Sequence, residues 1–293
     1  MNKPWMIGWI AFAMLGAHAE TVTLTGDAAY SAAQKGTCGT TEAGVVRYGF
    51  WEGRAYSRVP GEKDRHLFDV MGVNVRQCGH LQDATKGRGF RSVSREIMVY
   101  MDPDTGEVID RWENPWTGKT VEVLHVANDP VNMRAPRFEF NGDGKSTLSR
   151  SFRRYGDMAV SSYEIPLFYD NPLAGDYQQY VGGTYHAMEI FDTFYDADKM
   201  LDGDVASVGD SRLAWVRVAQ WLPWLEMGSR PGLMVFNATG FSTFDKASLP
   251  KALIDVVDTR FPEYWTPPPT EDPRPNETSW TVFQKWKANQ ADD

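Results

Sequence analysis

A mostly β chain, an antiparallel meander closing into a barrel or stacking as a sandwich, is what this sequence predicts. Three observations carry the prediction. Short strand-patterned runs succeed one another from Val45 to Ala238. Turns built on proline and glycine separate them, and sustained helical periodicity appears only after residue 246. A closed barrel removes exposed strand edges and leaves room for one small ligand, so a barrel of general lipocalin shape is the favoured form. C-terminal helices are expected to pack on it.

Taken in order, the chain begins with Lys3 and the apolar run Trp5–Gly16, followed by Ala17-His18-Ala19 in the small-x-small pattern. The run is too short to span a bilayer comfortably. Residues 1–19 therefore read as a secretory signal peptide, with an uncleaved anchor as the alternative. Cleavage after Ala19 places the mature protein in the periplasm or outside the cell. Cys38 and Cys78 are the only 2 cysteines. In an oxidising compartment a single pairing is open to them; otherwise they are buried thiols too far apart to join.

Residues 20–44 form a small, polar N-terminal extension with a short helix over Asp27–Ala33. An antiparallel β domain is expected over 45–245. It opens with the strand Val45–Trp51, and Val59-Pro60-Gly61-Glu62 carries proline and glycine at the two corners of a type II turn. His66–Val75 is the returning strand. The basic stretch Lys86–Arg95 reads as a solvated loop running into a strand rather than a phosphate site.

The meander Glu96–Asn132 is the centre around which the rest of the chain is organised. Asp102-Pro103-Asp104-Thr105-Gly106 and Asn114-Pro115-Trp116-Thr117-Gly118 share one pattern. The Asx side chain accepts from the backbone two residues on, proline presets φ, and glycine takes the left-handed position. About six residues of strand fit between them. Asn141–Thr147 resembles the end of a P-loop, but Glu139 stands where glycine is required, so a turn is expected. Asn171-Pro172-Leu173-Ala174-Gly175 repeats the earlier turn, flanked by Ile165–Tyr169 and Tyr177–Val181. Further strands are expected at Thr184–Phe194, Leu213–Leu222 and Gly232–Ala238, with Pro223 and Trp224 breaking the ladder between the last two.

Residues 246–293 complete the same domain. Ser248 is expected to cap a helix striped by Leu249, Leu253, Val256 and Val257 that stops before Pro262. A proline-rich loop, Thr266–Pro275, leads to a final helix capped by Asn276 or Ser279, with Trp280, Phe283 and Trp286 on its buried stripe.

Composition narrows the function. The formal net charge of −9 argues against nucleic acid and anionic lipid as partners. Aromatics make up 13% of the chain, with 11 Trp, which either fill a core or line a pocket for an apolar or sugar-like ligand. Val121, Val123, His125 and Ala127 share one strand face, which turns His125 inward beside the loop-borne Asp129 as a candidate acid–base pair. The alternative is a core histidine bonded to a carbonyl, with Asp129 making an Asx turn. Leu213, Trp215, Arg217, Ala219 and Trp221 share a face. There Arg217 either clamps a ligand anion, stacks on a ring, or pairs with a buried acid such as Glu96 or Glu189. A strand sends His186 and Glu189 to opposite faces, so no metal site is expected, and no Gly-x-Ser-x-Gly supports a serine nucleophile.

Four segments resemble the uncharacterised bacterial domain-of-unknown-function family 1838: Trp51-Glu52-Gly53, Tyr100–Asn132 with its NPWTG and NDPVN runs, Trp215–Arg230, and Arg274–Trp280. The resemblance spans residues 40 to 290. It implies that Asn114, Trp116, Asn128, Asp129, Arg217, Trp224 and Asn276 form one constellation, and it implies no reaction. Other chains of this kind look cytosolic or twin-arginine exported, whereas this one has an ordinary signal.

The expected function is an exported protein that binds a small aromatic or hydrophobic molecule. It either transforms that molecule without metal or cofactor, as a lyase, isomerase or hydrolase, or serves as a non-catalytic carrier; a structural module is the third reading. His125 and Asp129 would exchange protons and Arg217 would hold an anionic group. Asn114, Trp116, Asn128, Trp215, Trp221, Trp224 and Asn276 would line the site.

Overall fold

The computed structural model describes residues 19–131, 136–138, 140, 143, 144, 146, 148–174, 176, 179 and 182–291. The leader, most of Asn141–Thr147 and most of Tyr177–Val181 lie outside the described residues.

The chain is mostly antiparallel β, as its patterning predicts. One edge of the main sheet begins with β1 (Glu20–Thr25), β9 (Ser149–Tyr155), β10 (Met158–Asp170) and β11 (Thr184–Asp196). It continues through β12 (Ser211–Gln220), β13 (Leu233–Thr243), β2 (Arg47–Arg58) and β3 (Arg65–Asp83). It ends at β4 (Gly87–Met101) and β7 (Val126–Val131), with the short β8 (Arg137–Phe138) also on β4. A separate hairpin pairs β5 (Arg111–Glu113) with β6 (Thr120–Glu122). The strand expected to run from Thr120 to Ala127 is thus split between β6 and β7. Residues 20–44, set apart by composition, supply the edge strand β1 and the helix α1 (Gly26–Cys38).

The turns form as their side chains dictate. Asp102 Oδ1 accepts from the backbone N–H groups of Asp104 at 2.8 Å and Thr105 at 2.9 Å, and Gly106 sits at φ 73°. Asn114 Oδ1 does the same for Trp116 and Thr117, with Gly118 at φ 68°. Gly61 at φ 81° and the bond from Glu62 N to Val59 O at 3.1 Å complete the type II turn.

The sheet does not close into the favoured barrel. Among the described residues no ladder joins β1 to β7. The physical reason lies on the free edge of β7, whose hydrogen-bonding groups are already used. Asp129 N donates to Glu277 Oε2 at 3.1 Å, and Pro130 O accepts from Glu277 N at 2.8 Å. Proline at 130 also removes a donor that a further strand would need. An edge covered in this way is satisfied without another strand.

Helices close what strands do not. α4 (Ser279–Ala291) packs against β7, buries Trp280 and Phe283 in the concave core, and reaches Pro172 O through Gln284 Nε2 at 3.4 Å. Its cap is Thr278 rather than Asn276 or Ser279. Thr278 Oγ1 accepts from Thr281 N at 3.3 Å, while Thr281 Oγ1 accepts from Thr278 N at 2.9 Å, a reciprocal box. At the other end α1 lies on β9, on β11 and on α2 (Ala197–Leu201) through Ala32. Its last residue, Cys38, is disulfide-bonded to Cys78 of β3, with the Cα atoms 5.9 Å apart. Closing that loop contributes about 4 kcal/mol in the chain-entropy account.

The convex face is covered by α3 (Lys251–Arg260), which buries Leu253 and Val257, with Leu249 just before it, against Phe50, Met71, Val73, Val75, Ile97 and Val99. The helix begins after Pro250, and Asp245 rather than Ser248 caps the 3-10 turn that precedes it, accepting from Ala247 N at 2.9 Å. Among the described residues no helix is long and apolar enough to cross a membrane.

Candidate functional site

Strand alternation sends two different sets of side chains to the two faces of the sheet. On β4, Ile97 and Val99 join the convex core, while Met98 and Tyr100 join the concave one. Glu96 shares the concave parity. Its cross-strand neighbours in register are Asn74 on β3 and Asn128 on β7. Three polar side chains from adjacent strands therefore stand in one row on the concave side.

The row is lightly bonded. Asn74 Nδ2 donates to Ser94 Oγ at 3.2 Å and to Glu96 Oε2 at only 3.5 Å, and Ser94 Oγ donates to Val131 O at 2.7 Å. Asn128 is buried, and its Oδ1 has no protein donor. Glu96 makes no ion pair among the described residues. Burial first, and the charge of Glu189 second, push the Glu96 carboxyl up to about 7, against the opposing pull of Asn74, Arg217 and Arg76. Glu96 thus senses charges on β11 and β12, which the curl of the sheet brings round to face β4.

Those charges belong to a second cluster. Arg217 and Glu189 are direct cross-strand partners on β12 and β11. Arg217 Nη1 donates to Glu189 Oε1 at 2.6 Å and Nη2 to the Tyr185 hydroxyl at 2.8 Å. Burial works against the guanidinium charge, but Tyr185 and Glu189 outweigh it and raise the Arg217 pKa. Burial likewise raises the Tyr100 phenol.

Indoles pack in the same concave core. Trp51 on β2 and Trp215 on β12 meet edge to face at 6.5 Å, and Trp215 also lies 5.9 Å from Phe236 and 6.3 Å from Phe191. The Trp51 ring lies over Gly72, where a Cβ would come within 2.5 Å of Cζ2, so glycine is what lets the indole sit flat on β3. The Nε1–H groups of Trp51 and Trp215 are buried without a protein acceptor.

Of the residues singled out by sequence, Arg217, Trp215 and Asn128 stand on this face, and Trp221 and Trp224 belong to the same concave core. The others have different settings. His125 lies just before β7, where Nδ1 accepts from Tyr100 N at 3.3 Å and Nε2 is 3.6 Å from Asp110 Oδ1. Burial, then the Arg260 charge, push its imidazole down to about 4. Asp129 is held by Arg95 at 2.9 Å and by Arg274 at 2.9 Å. Burial opposes its ionisation, yet the two guanidiniums hold it below the usual carboxylate range. No bond or ion pair joins His125 to Asp129 among the described residues, and each is committed to other partners, so the structure does not assemble them as an acid–base pair.

Asn114 is buried, and its Nδ2 donates to Leu225 O at 2.8 Å, tying its turn to the 3-10 segment Pro223–Leu225. Trp116 donates Nε1–H to Glu62 at 3.0 Å beneath the Arg65 guanidinium. Trp221 is fully buried with Nε1–H on Arg230 O at 3.2 Å, and Trp224 packs in the core against Tyr100, Phe68 and Trp112. Asn276 is exposed, with Nδ2 on Glu277 O at 3.0 Å. Cys38 and Cys78 form the disulfide that ties α1 to β3. His186 points away from the Glu189 side and meets Phe168 edge to face. Among the described residues no cluster of His, Cys, Asp or Glu could hold a metal ion.

Sequence reading missed Glu96 as a centre, along with Asn74, Trp51 and Tyr185. The available signal was parity: Glu96 opens the apolar run Ile97–Met101 at the end of β4, on the face of Met98 and Tyr100, where a carboxyl needs a reason to be.

No curated protein matches the chain. A family model described as "Protein of unknown function (DUF1838)" matches residues 46–287, a span that includes every member of the concave site, and the chain belongs to that family.

Proposed function

We propose that this chain is an exported protein that holds a small, ring-bearing molecule on the concave face of its open sheet. The observation that carries the reading is a group of buried polar atoms without a protein partner there, among them the indole N–H groups of Trp51 and Trp215 and the amide oxygen of Asn128. Each such group costs about 1–3 kcal/mol when nothing meets it. Three of them on one aromatic-lined surface are the pattern of a site whose partner is a ligand. The flanking rings of Phe191, Phe236 and Tyr185 suit an aromatic or hydrophobic body. Export is supported by the leader-like N-terminus and by the disulfide, which suits an oxidising compartment.

A carrier without chemistry is the second reading. It is favoured by Arg217, whose guanidinium is already engaged by Glu189 and Tyr185 and is built to hold shape. Both readings are tested by titrating the mature protein with acetophenone, a neutral aryl ketone, and following tryptophan fluorescence. A saturable change is expected, and it should disappear in the Trp51→Phe, Trp215→Phe double variant. A linear, unsaturable response identical in both proteins would contradict a concave site.

A further inference from the structure

The concave face holds a carboxyl, Glu96, that makes no ion pair among the described residues, while Arg217 and Glu189 beside it are paired with each other. We infer that Glu96 is the acid–base residue of this site, and that the molecule it serves is neutral and carries a carbonyl or hydroxyl oxygen beside its ring. The inference rests on the concave-face reading and adds a reaction to it.

The site is built to refuse anions. An anionic ligand would find the Arg217 charge already balanced by Glu189, to which Nη1 donates at 2.6 Å, while Nη2 donates to Tyr185 at 2.8 Å. The same ligand would face Glu96 and Glu189 together, and like charges disfavour each other at close range. A neutral oxygen meets no such penalty. It accepts from the indole N–H groups that lack an acceptor, while a ligand hydroxyl donates to the unmatched oxygen of Asn128.

Glu96 differs from the other carboxylates set deep in this fold. Glu189 is paired with Arg217, Asp129 with Arg95 and Arg274, and Asp272 with Arg274. Among the described residues Glu96 accepts from the Asn74 amide, at 3.5 Å. Around it stand Asn74 and Arg76 from β3, Asn128 from β7, Glu189 and Tyr185 from β11, and Arg217 from β12. Burial and Glu189 bring the carboxyl to about 7, so both protonation states are populated near neutrality, as proton transfer in both directions requires.

The step needs no co-reactant. Glu96 as carboxylate takes a proton from the carbon beside the ligand's carbonyl. The C–H bond breaks, the O–H bond of the Glu96 acid forms, and the released electron pair moves onto the carbonyl oxygen as an enolate. That oxygen is where indole N–H donors are of use. The Glu96 acid then returns the proton, to the same carbon for simple exchange or to a conjugated one for isomerisation, and the carboxylate is restored.

Acetophenone in D2O reads this directly, because a cycle in which the Glu96 acid exchanges its proton for a solvent deuteron before returning it replaces a methyl hydrogen by deuterium. Binding is followed in parallel by tryptophan fluorescence. The wild-type protein should bind acetophenone and exchange its methyl group, with a rate that climbs as pH rises through about 7. Glu96→Gln, which keeps the shape, should bind within about threefold and exchange about 100-fold or more slowly. Glu96→Asp should recover part of the rate. Acetophenone that binds but exchanges no faster than in buffer, or equally fast in Glu96→Gln, overturns the acid–base role and leaves the binding reading intact. Acetophenone that does not bind overturns both.

Discussion

On β4, Ile97 and Val99 face α3 across the convex side, while Ser94, Glu96 and Tyr100 face the concave side one residue away. β3 repeats the contrast, with Met71, Val73 and Val75 outward and Val70, Gly72 and Asn74 inward. On the convex side, under α3, the buried contacts are apolar and meet other apolar groups. The concave side mixes indoles with a carboxyl, amides, a guanidinium and phenols, and several of those polar atoms have no partner. Two faces made from the same strands thus obey different rules. One gains stability from burial; the other gives some up, which is what a surface shaped for something outside the protein does.

Substitutions should separate the faces. The largest effect is expected from Leu253→Ala under α3. Leu253 is fully buried, so about 3 kcal/mol of stability should be lost in denaturant unfolding while acetophenone binding stays within twofold. Loss of binding in step with stability would break the division of labour.

The pH dependence of stability is of similar size. Glu96 has its folded pKa raised from 4.5 to about 7. Its contribution is therefore fully present below 4.5 and is lost as pH rises through 7. Across that window the stability of the wild type relative to Glu96→Gln should fall by about 3 kcal/mol. His125 acts in the opposite sense. Its folded pKa is lowered from 6.5 to about 4, so its contribution is present above 6.5 and is lost as pH falls through 4. Because both proteins carry His125, comparing them isolates Glu96. A difference that does not change with pH would show that the concave carboxyl is not perturbed.

Trp215→Phe should have a smaller effect. Removing an indole N–H that has no protein acceptor should change stability by less than about 1 kcal/mol, yet weaken acetophenone about tenfold if that donor meets the ligand oxygen. Smallest is Phe168→Ser on the uncovered part of the convex side. Phe168 is 73% exposed, and its replacement should move stability by no more than about 0.5 kcal/mol and leave binding alone.

Local chemistry was the legible part of this fold. Asp102 and Asn114 bend the chain as Asx–Pro turns should, because all the interactions involved lie within five residues. The terminal helix stripe of Trp280 and Phe283 was equally plain. Closure was not legible, because whether β7 pairs with another strand is decided by Glu277, almost 150 residues further on. The site divided in the same way. Parity placed Trp215 and Arg217 on one face and offered Glu189 or Glu96 as partners, and Glu189 is the one that pairs. His125 is buried as expected, but it lies in the break between β6, which ends at Glu122, and β7, which begins at Val126, and its ring meets Tyr100 and Asp110 rather than Asp129. The members of the constellation implied by family resemblance have several settings. Asn114, Trp224 and Asp129 are held by bonds and packing that build turns, core and edge.

The most direct test of the two-faced sheet is a 15N spectrum of the indole N–H groups recorded while acetophenone is added. Trp51 and Trp215 should shift with a common saturation curve, while Trp265 on the α3 side, whose Nε1–H is bonded to Asp258 at 2.5 Å, should stay in place. Unmoved Trp51 and Trp215 signals at saturating ketone, or equal shifts on both faces, would contradict the account.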